Sequence, residues 1–105
     1  MRRLRAPTGI NVFATTEATT TGTVIVQNVI KDEEVDIAAN TNGLIDAHLN
    51  NLLGKAIGVD NLGSGTVNAT VNWWGCAKGP RAPGCTSVSG SNVASTPFLT
   101  TPPLR

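Results

Sequence analysis

The sequence predicts an all-β fold: a solenoid of about three 22-residue coils of short parallel strands, closed by a C-terminal cap. Three observations carry this prediction. Gly-led runs recur in register, with GLIDAHLNN starting at Gly43 and GTVNATVNW at Gly65. Within each run apolar and polar residues alternate, as in a strand with one buried face. The composition is 40% hydrophobic and only 14% charged, with Thr, Asn, Gly and Ser making up much of the rest. That mixture suits short strands and turns and suits long helices poorly.

Taken in order, residues 1–8 are expected to lack structure, 9–75 to form the coils and 76–105 to form a capping loop and tail. The first coil is the loosest: GINV from Gly9 and GTVIVQNVI from Gly22 resemble the later copies with less regular spacing. In the next two, Val35 and Ile37 align with Ile57 and Val59, Ile45 with Val67, Ala47 with Ala69, and Leu49 with Val71. Asn28, Asn50 and Asn72 fall at equal intervals. A unit of two brief strands cannot bury its own apolar face, but stacked on copies of itself it can. Equivalent strands then pair in parallel, the aligned apolar residues form inward columns, and the asparagines stack at a corner. Asn also tolerates the left-handed backbone that such corners need. A helix over LIDAHLNNLLGKAI would use Leu44, Ala47, His48 and Leu52, but Gly43, Gly54 and Gly58 oppose it, as does the β-branched aligned copy.

Both tryptophans sit together at the end of the last run, in NATVNWWGCAKGPRAPGCTSVSGSNVASTPFLTTP. This stretch resembles the C-terminal end of right-handed parallel β-helix proteins, the pectin-lyase-like solenoids. Many secreted bacterial members end in Asn-Trp-Trp-Gly, Gly-Pro, a variable loop, a Val-Ser-Gly-like strand and Pro-Trp-Leu. The matching residues are Asn72, Trp73, Trp74, Gly75, Gly79, Pro80, Val88, Ser89, Gly90, Pro97, Phe98 and Leu99, with Phe98 where the family more often has Trp. The resemblance covers about Val67 to Pro102; upstream only the generic coil pattern is shared. It implies that Trp73 and Trp74 cap a coil end that would otherwise expose unpaired backbone and apolar surface. The rival role, a sugar-stacking platform, is opposed by position, since adjacent strand residues face opposite ways. Cys76 and Cys85 flank the cap loop. A disulfide there would contribute about 2.5 kcal/mol by loop entropy; the alternative is two free thiols in a reducing compartment.

Chemistry is sparse. The resemblance raises polysaccharide lyase activity, which implies clustered acids that bind calcium facing a basic proton acceptor, or hydrolase activity, which implies aspartates, in either case projecting from adjacent coils on one sheet face. If Ile45 and Ala47 point inward, Asp46 and His48 point outward beside Asn68 and Thr70, forming one polar strip. These four are the candidate carbohydrate-binding residues, but the strip has no arginine and no exposed aromatic, so no catalytic residue is assigned. The acidic run Asp32, Glu33, Glu34 and Asp36 lacks the spacing and glycine of a calcium loop and reads as a charged turn. Neither metal nor cofactor is expected. A net charge of +1 gives no footprint for nucleic acid. MRRLR is not followed by the apolar stretch of a signal peptide, and no membrane-spanning stretch is visible. The expectation is therefore a non-catalytic structural or adhesive end module from a larger secreted or cell-surface protein. Further β-helix coils or a polysaccharide are its candidate partners, and an open first coil would favour end-to-end self-association. A carbohydrate-binding module, or the remnant of a polysaccharide lyase, is the alternative.

Overall fold

Gly, Asn or Asp interrupts each apolar stretch before it can run far, so strands here stay short; none exceeds six residues. The computed structural model describes residues 8–13 and 22–104. Among these there is no helix, and the strands are β1 (Thr8–Phe13), β2 (Thr23–Val26), β3 (Val29–Lys31), β4 (Val35–Asn40), β5 (Leu44–His48), β6 (Asn51–Leu53), β7 (Ile57–Asn61), β8 (Thr66–Asn68), β9 (Ser87–Gly90) and β10 (Val93–Ala94). The expectation of an unstructured segment 1–8 falls outside the described residues except at Thr8, which opens β1.

The strands assemble into three parallel sheets, ordered β1-β4-β7-β9, β10-β8-β5-β2 and β3-β6. From β1 to β8 the chain visits the sheets in rotation, so strands there pair with the one three elements later, whereas β9 and β10 follow β8 without a third-sheet strand and pair two elements back, with β7 and β8. The pairings Val35↔Ile57, Ile37↔Val59 and Ile45↔Val67 follow the 22-residue offset. One difference from expectation is that each repeat carries three strands rather than two. The third sheet is built from three-residue elements and is extended by the Asn51↔Trp73 bridge.

In-register stacking turns equivalent positions into columns, and the columns are the core. Ile10, Ile37, Val59 and Val88 line up in the first sheet, and Ile45, Val67 and Val93 in the second. In the third sheet Ile30 lies over Leu52, and Trp74 follows in the next layer. Trp74 is fully buried, whereas Trp73 is only half-buried. The two indoles thus divide as adjacent extended residues must, and Trp74 alone fills the interior. Its ring reaches beneath the first sheet, where a Cβ on Gly58 would lie 2.7 Å from Cζ3. Gly58 is therefore a space requirement of the buried indole.

Two corners hold the layers in register. Between the second and third sheets, Asn28, Asn50 and Asn72 form a ladder. Asn50 Nδ2 donates to Asn72 Oδ1 at 3.0 Å and to the Ile25 carbonyl at 2.9 Å, while its own Oδ1 accepts from Asn28 Nδ2 at 3.1 Å. Asn72 repeats the pattern one layer on, donating to the Ala47 carbonyl at 2.7 Å. The left-handed residue at this corner is not the asparagine but the one before it: Gln27, Leu49 and Val71 have φ of 59°, 60° and 60°. At the corner between the first and second sheets the layers approach so closely that a Cβ on Gly65 would collide with the Gly43 carbonyl oxygen. No side chain fits there.

Residues 76–104 follow the last full rotation through the three sheets and pack along its strands. Cys76 and Cys85 form a disulfide, with Cα atoms 5.3 Å apart, across the loop that leads into β9. The chain from β10 onward runs along the last turn of the second sheet. There Ala69, Val71 and Leu99 N–H groups donate to the carbonyls of Ala94, Pro97 and Asn72 at 2.7, 2.7 and 2.9 Å. Phe98 packs against the core, and its ring occupies the space where a Cβ on Gly79 would sit, 2.6 Å from Cε2. Asn51 Nδ2 holds the Leu104 carbonyl at 3.0 Å.

Candidate functional site

Strand alternation decides what faces out. Because Ile45 and Ala47 are buried, Asp46 and His48 of β5 project from the opposite face of the second sheet. Asp46 pairs across the sheet with Asn68, and the His48 ring reaches Thr70 in the same neighbouring layer. All four candidates are brought together in one strip. On the other side of β5, Val24 and Val26 lie opposite Asp46 and His48 and are solvent-exposed.

The strip is ordered by its own hydrogen bonds. His48 Nδ1 lies 2.8 Å from the Thr70 carbonyl oxygen. A carbonyl can only accept, so Nδ1 carries the proton, and in the neutral ring Nε2 keeps its lone pair. Nε2 is 3.7 Å from Asp46 Oδ1, with the side chains 29% and 36% exposed. Thr70 Oγ1 donates to Asn68 Oδ1 at 3.0 Å, and the Thr70 N–H approaches the same oxygen at 3.4 Å. Asn68 and Thr70 thus satisfy each other, while Asp46 and His48 remain the reactive pair.

The residues expected to form a cap sit elsewhere. Asn72 is buried in the ladder, Trp74 and Gly79 are buried, and Trp73, Pro80 and Phe98 are half-buried. Gly75 and Gly79 adopt φ of 88° and 86°, left-handed turns on either side of the short Cys76–Lys78 stretch.

The acidic run behaves differently from a solvated turn. Asp36 is completely buried, accepts from the Gly54 N–H through Oδ2 at 3.1 Å, and leaves Oδ1 without a partner. Burial chiefly, with the nearby Glu33 charge adding to it and the Gly54 N–H opposing, raises its pKa to about 7. Glu33 Oε1 is likewise buried without a partner. The signal in the sequence was the pair of glycines flanking Asp36 in the sheet: by register Gly9 lies on one side and Gly58 on the other. Among the described residues, no three His, Cys, Asp or Glu side chains are grouped to hold a metal ion. A pocket of about 370 Å³ opens between β1 and β3, lined by Ile10, Asn28, Val29, Ile30, Lys31 and Glu33 with Gly9 at its edge. No helix among the described residues is long and apolar enough to cross a membrane. No protein-family model, curated protein or solved structure matches the chain.

Proposed function

We propose that this chain is a non-catalytic structural or adhesive end module, the C-terminal coils and cap of a right-handed parallel β-helix of the pectin-lyase-like kind. Its setting would be a secreted or cell-surface scaffold. The observation that carries the reading is the difference between the two ends of the stack. At one end Trp74, the disulfide-closed loop and the strand-hugging tail cover the last layer. At the other, among the described residues, the outer edges of β1, β2 and β3 have no strand partner. Three parallel edges side by side form a template for another layer of the same kind. The rotation of the chain through three sheets at a 22-residue offset supports the solenoid, and the disulfide is compatible with an oxidising compartment.

Sedimentation velocity with and without reductant tests this role. The expected result is concentration-dependent association that worsens on reduction, because opening the Cys76–Cys85 loop loosens the covered end. A sharp monomer under both conditions, with a cooperative melt, would refute it. A carbohydrate-binding role is the second reading, favoured by the contiguity of Asp46, His48, Asn68 and Thr70 on one rigid face. Saturable binding of a polysaccharide that is lost in Asp46→Asn would establish it over the first.

A further inference from the structure

We propose that Asp46 and His48 form a two-residue clip for a divalent transition metal, with zinc the ion best matched. The geometry argues for it in three steps. First, the imidazole is already oriented as a ligand. A metal-binding histidine ordinarily donates its other N–H to a carbonyl or carboxylate, which fixes the tautomer and aims the free nitrogen; here Nδ1 donates to the Thr70 carbonyl at 2.8 Å. Second, the free Nε2 lone pair faces a carboxylate oxygen at 3.7 Å. That span is too long for a hydrogen bond, and with the ring neutral two acceptors face each other, an arrangement relieved either by a proton on Nε2 or by a metal ion between them. Two ligands on a tetrahedral zinc, with bonds of about 2.0–2.1 Å, stand about 3.4 Å apart, which a small turn of either side chain supplies. Third, both residues project two positions apart from β5, a strand paired on both sides, so the clip is held by backbone rather than by a loop. Imidazole with carboxylate selects zinc, nickel or copper over calcium or magnesium. Water completes the coordination, since Asn68 and Thr70 are engaged with each other.

The chain makes the test clean. His48 is its single histidine, and both cysteines are in the disulfide. Zinc is titrated into the whole chain while the imidazole nitrogens are followed by NMR. The expected result is a saturable one-site shift of the His48 Nε2 signal at submillimolar zinc, weakened at least tenfold in Asp46→Asn; binding heat measured by calorimetry on the same samples should follow it and be abolished in His48→Gln. Both side chains are partly exposed, and an unchanged far-UV spectrum checks that each variant is folded. An Nε2 signal unmoved by millimolar zinc overturns the proposal, as does binding that survives in His48→Gln.

Discussion

Replacing Asp36 with asparagine should stabilise the protein at alkaline pH and leave it nearly unchanged in acid. Asp36 is completely buried, and its folded-state pKa of about 7 stands above its unfolded value of 3.8. The folded chain therefore holds a proton between those values that the unfolded chain has released, and stability falls as pH rises through that window. The stabilisation is whole below about pH 4 and lost above about pH 7. A shift of this size corresponds to about 4 kcal/mol, a large part of the stability of a chain this small. The substituted amide would present its carbonyl to the Gly54 N–H, as the protonated acid does, without a charge to ionise. Urea unfolding followed by tryptophan fluorescence reads the effect, because Trp74 is buried in the core. Between pH 4 and pH 8 the wild-type midpoint should fall steeply, whereas that of the variant should be much flatter, with the curves converging in acid. Parallel profiles across that range would refute the reasoning and mean that Asp36 is solvated in the folded state.

Two further substitutions probe the corner between the second and third sheets. Asn50→Ala removes donors and acceptors that serve Asn28, Asn72 and the Ile25 carbonyl. Asn72 Oδ1 keeps the Asn50 N–H and Asn28 Nδ2 the Val26 carbonyl, so at about 1–3 kcal/mol for each buried polar group left unpaired chemical denaturation should show a loss of about 2 kcal/mol; a loss under about 1 kcal/mol would mean water replaces the ladder. Val71→Asn should instead stabilise by about 1 kcal/mol, since a β-branched residue at φ 60° is strained and asparagine tolerates that conformation. An unchanged or lower melting temperature would show that packing by the valine outweighs the backbone strain.

The parts of the fold legible in the sequence are those set by layer-to-layer pairing. Ile45 and Val67 could be matched by eye because parallel, in-register stacking puts the same kind of side chain in the same column. The third sheet could not be read: β3 and β6 have three residues each, too few to display an alternation, and they lie between an asparagine corner and an acidic or glycine turn. The asparagine ladder was legible as spacing but not as mechanism. Propensity assigns left-handed backbone to Asn28, Asn50 and Asn72, whereas the structure spends their side chains on buried hydrogen bonds and gives the strain to Gln27, Leu49 and Val71. Asp36 was hidden for a related reason. A carboxylate in an acidic run reads as solvated, and its burial depends on Gly54 of the following repeat, where a Cβ would collide with the Asp36 carboxylate.

The same repetition bears on where function can reside. Most inward positions stay apolar through the stack, as in the column Ile10, Ile37, Val59 and Val88, with Thr23 and Asn61 as polar exceptions. Outward positions of the second sheet do not: Val24 is followed by Asp46 and then Asn68, and the Val26 position by His48 and then Thr70 in the next layer. Nothing in stacking requires a histidine or an aspartate there, so the successive layers act as internal controls for one another. A charged, lone-pair-bearing couple occurs in only one layer, on the best-braced strand of the sheet, flanked by a self-satisfied polar pair on one side and exposed valines on the other. Scaffolds accept such grafts because the face that carries them is not the face that folds the chain. The proposed scaffold role and the proposed metal clip would accordingly be independent: zinc binding at Asp46 and His48 should be indifferent to reduction of Cys76–Cys85, and association through β1, β2 and β3 indifferent to His48→Gln.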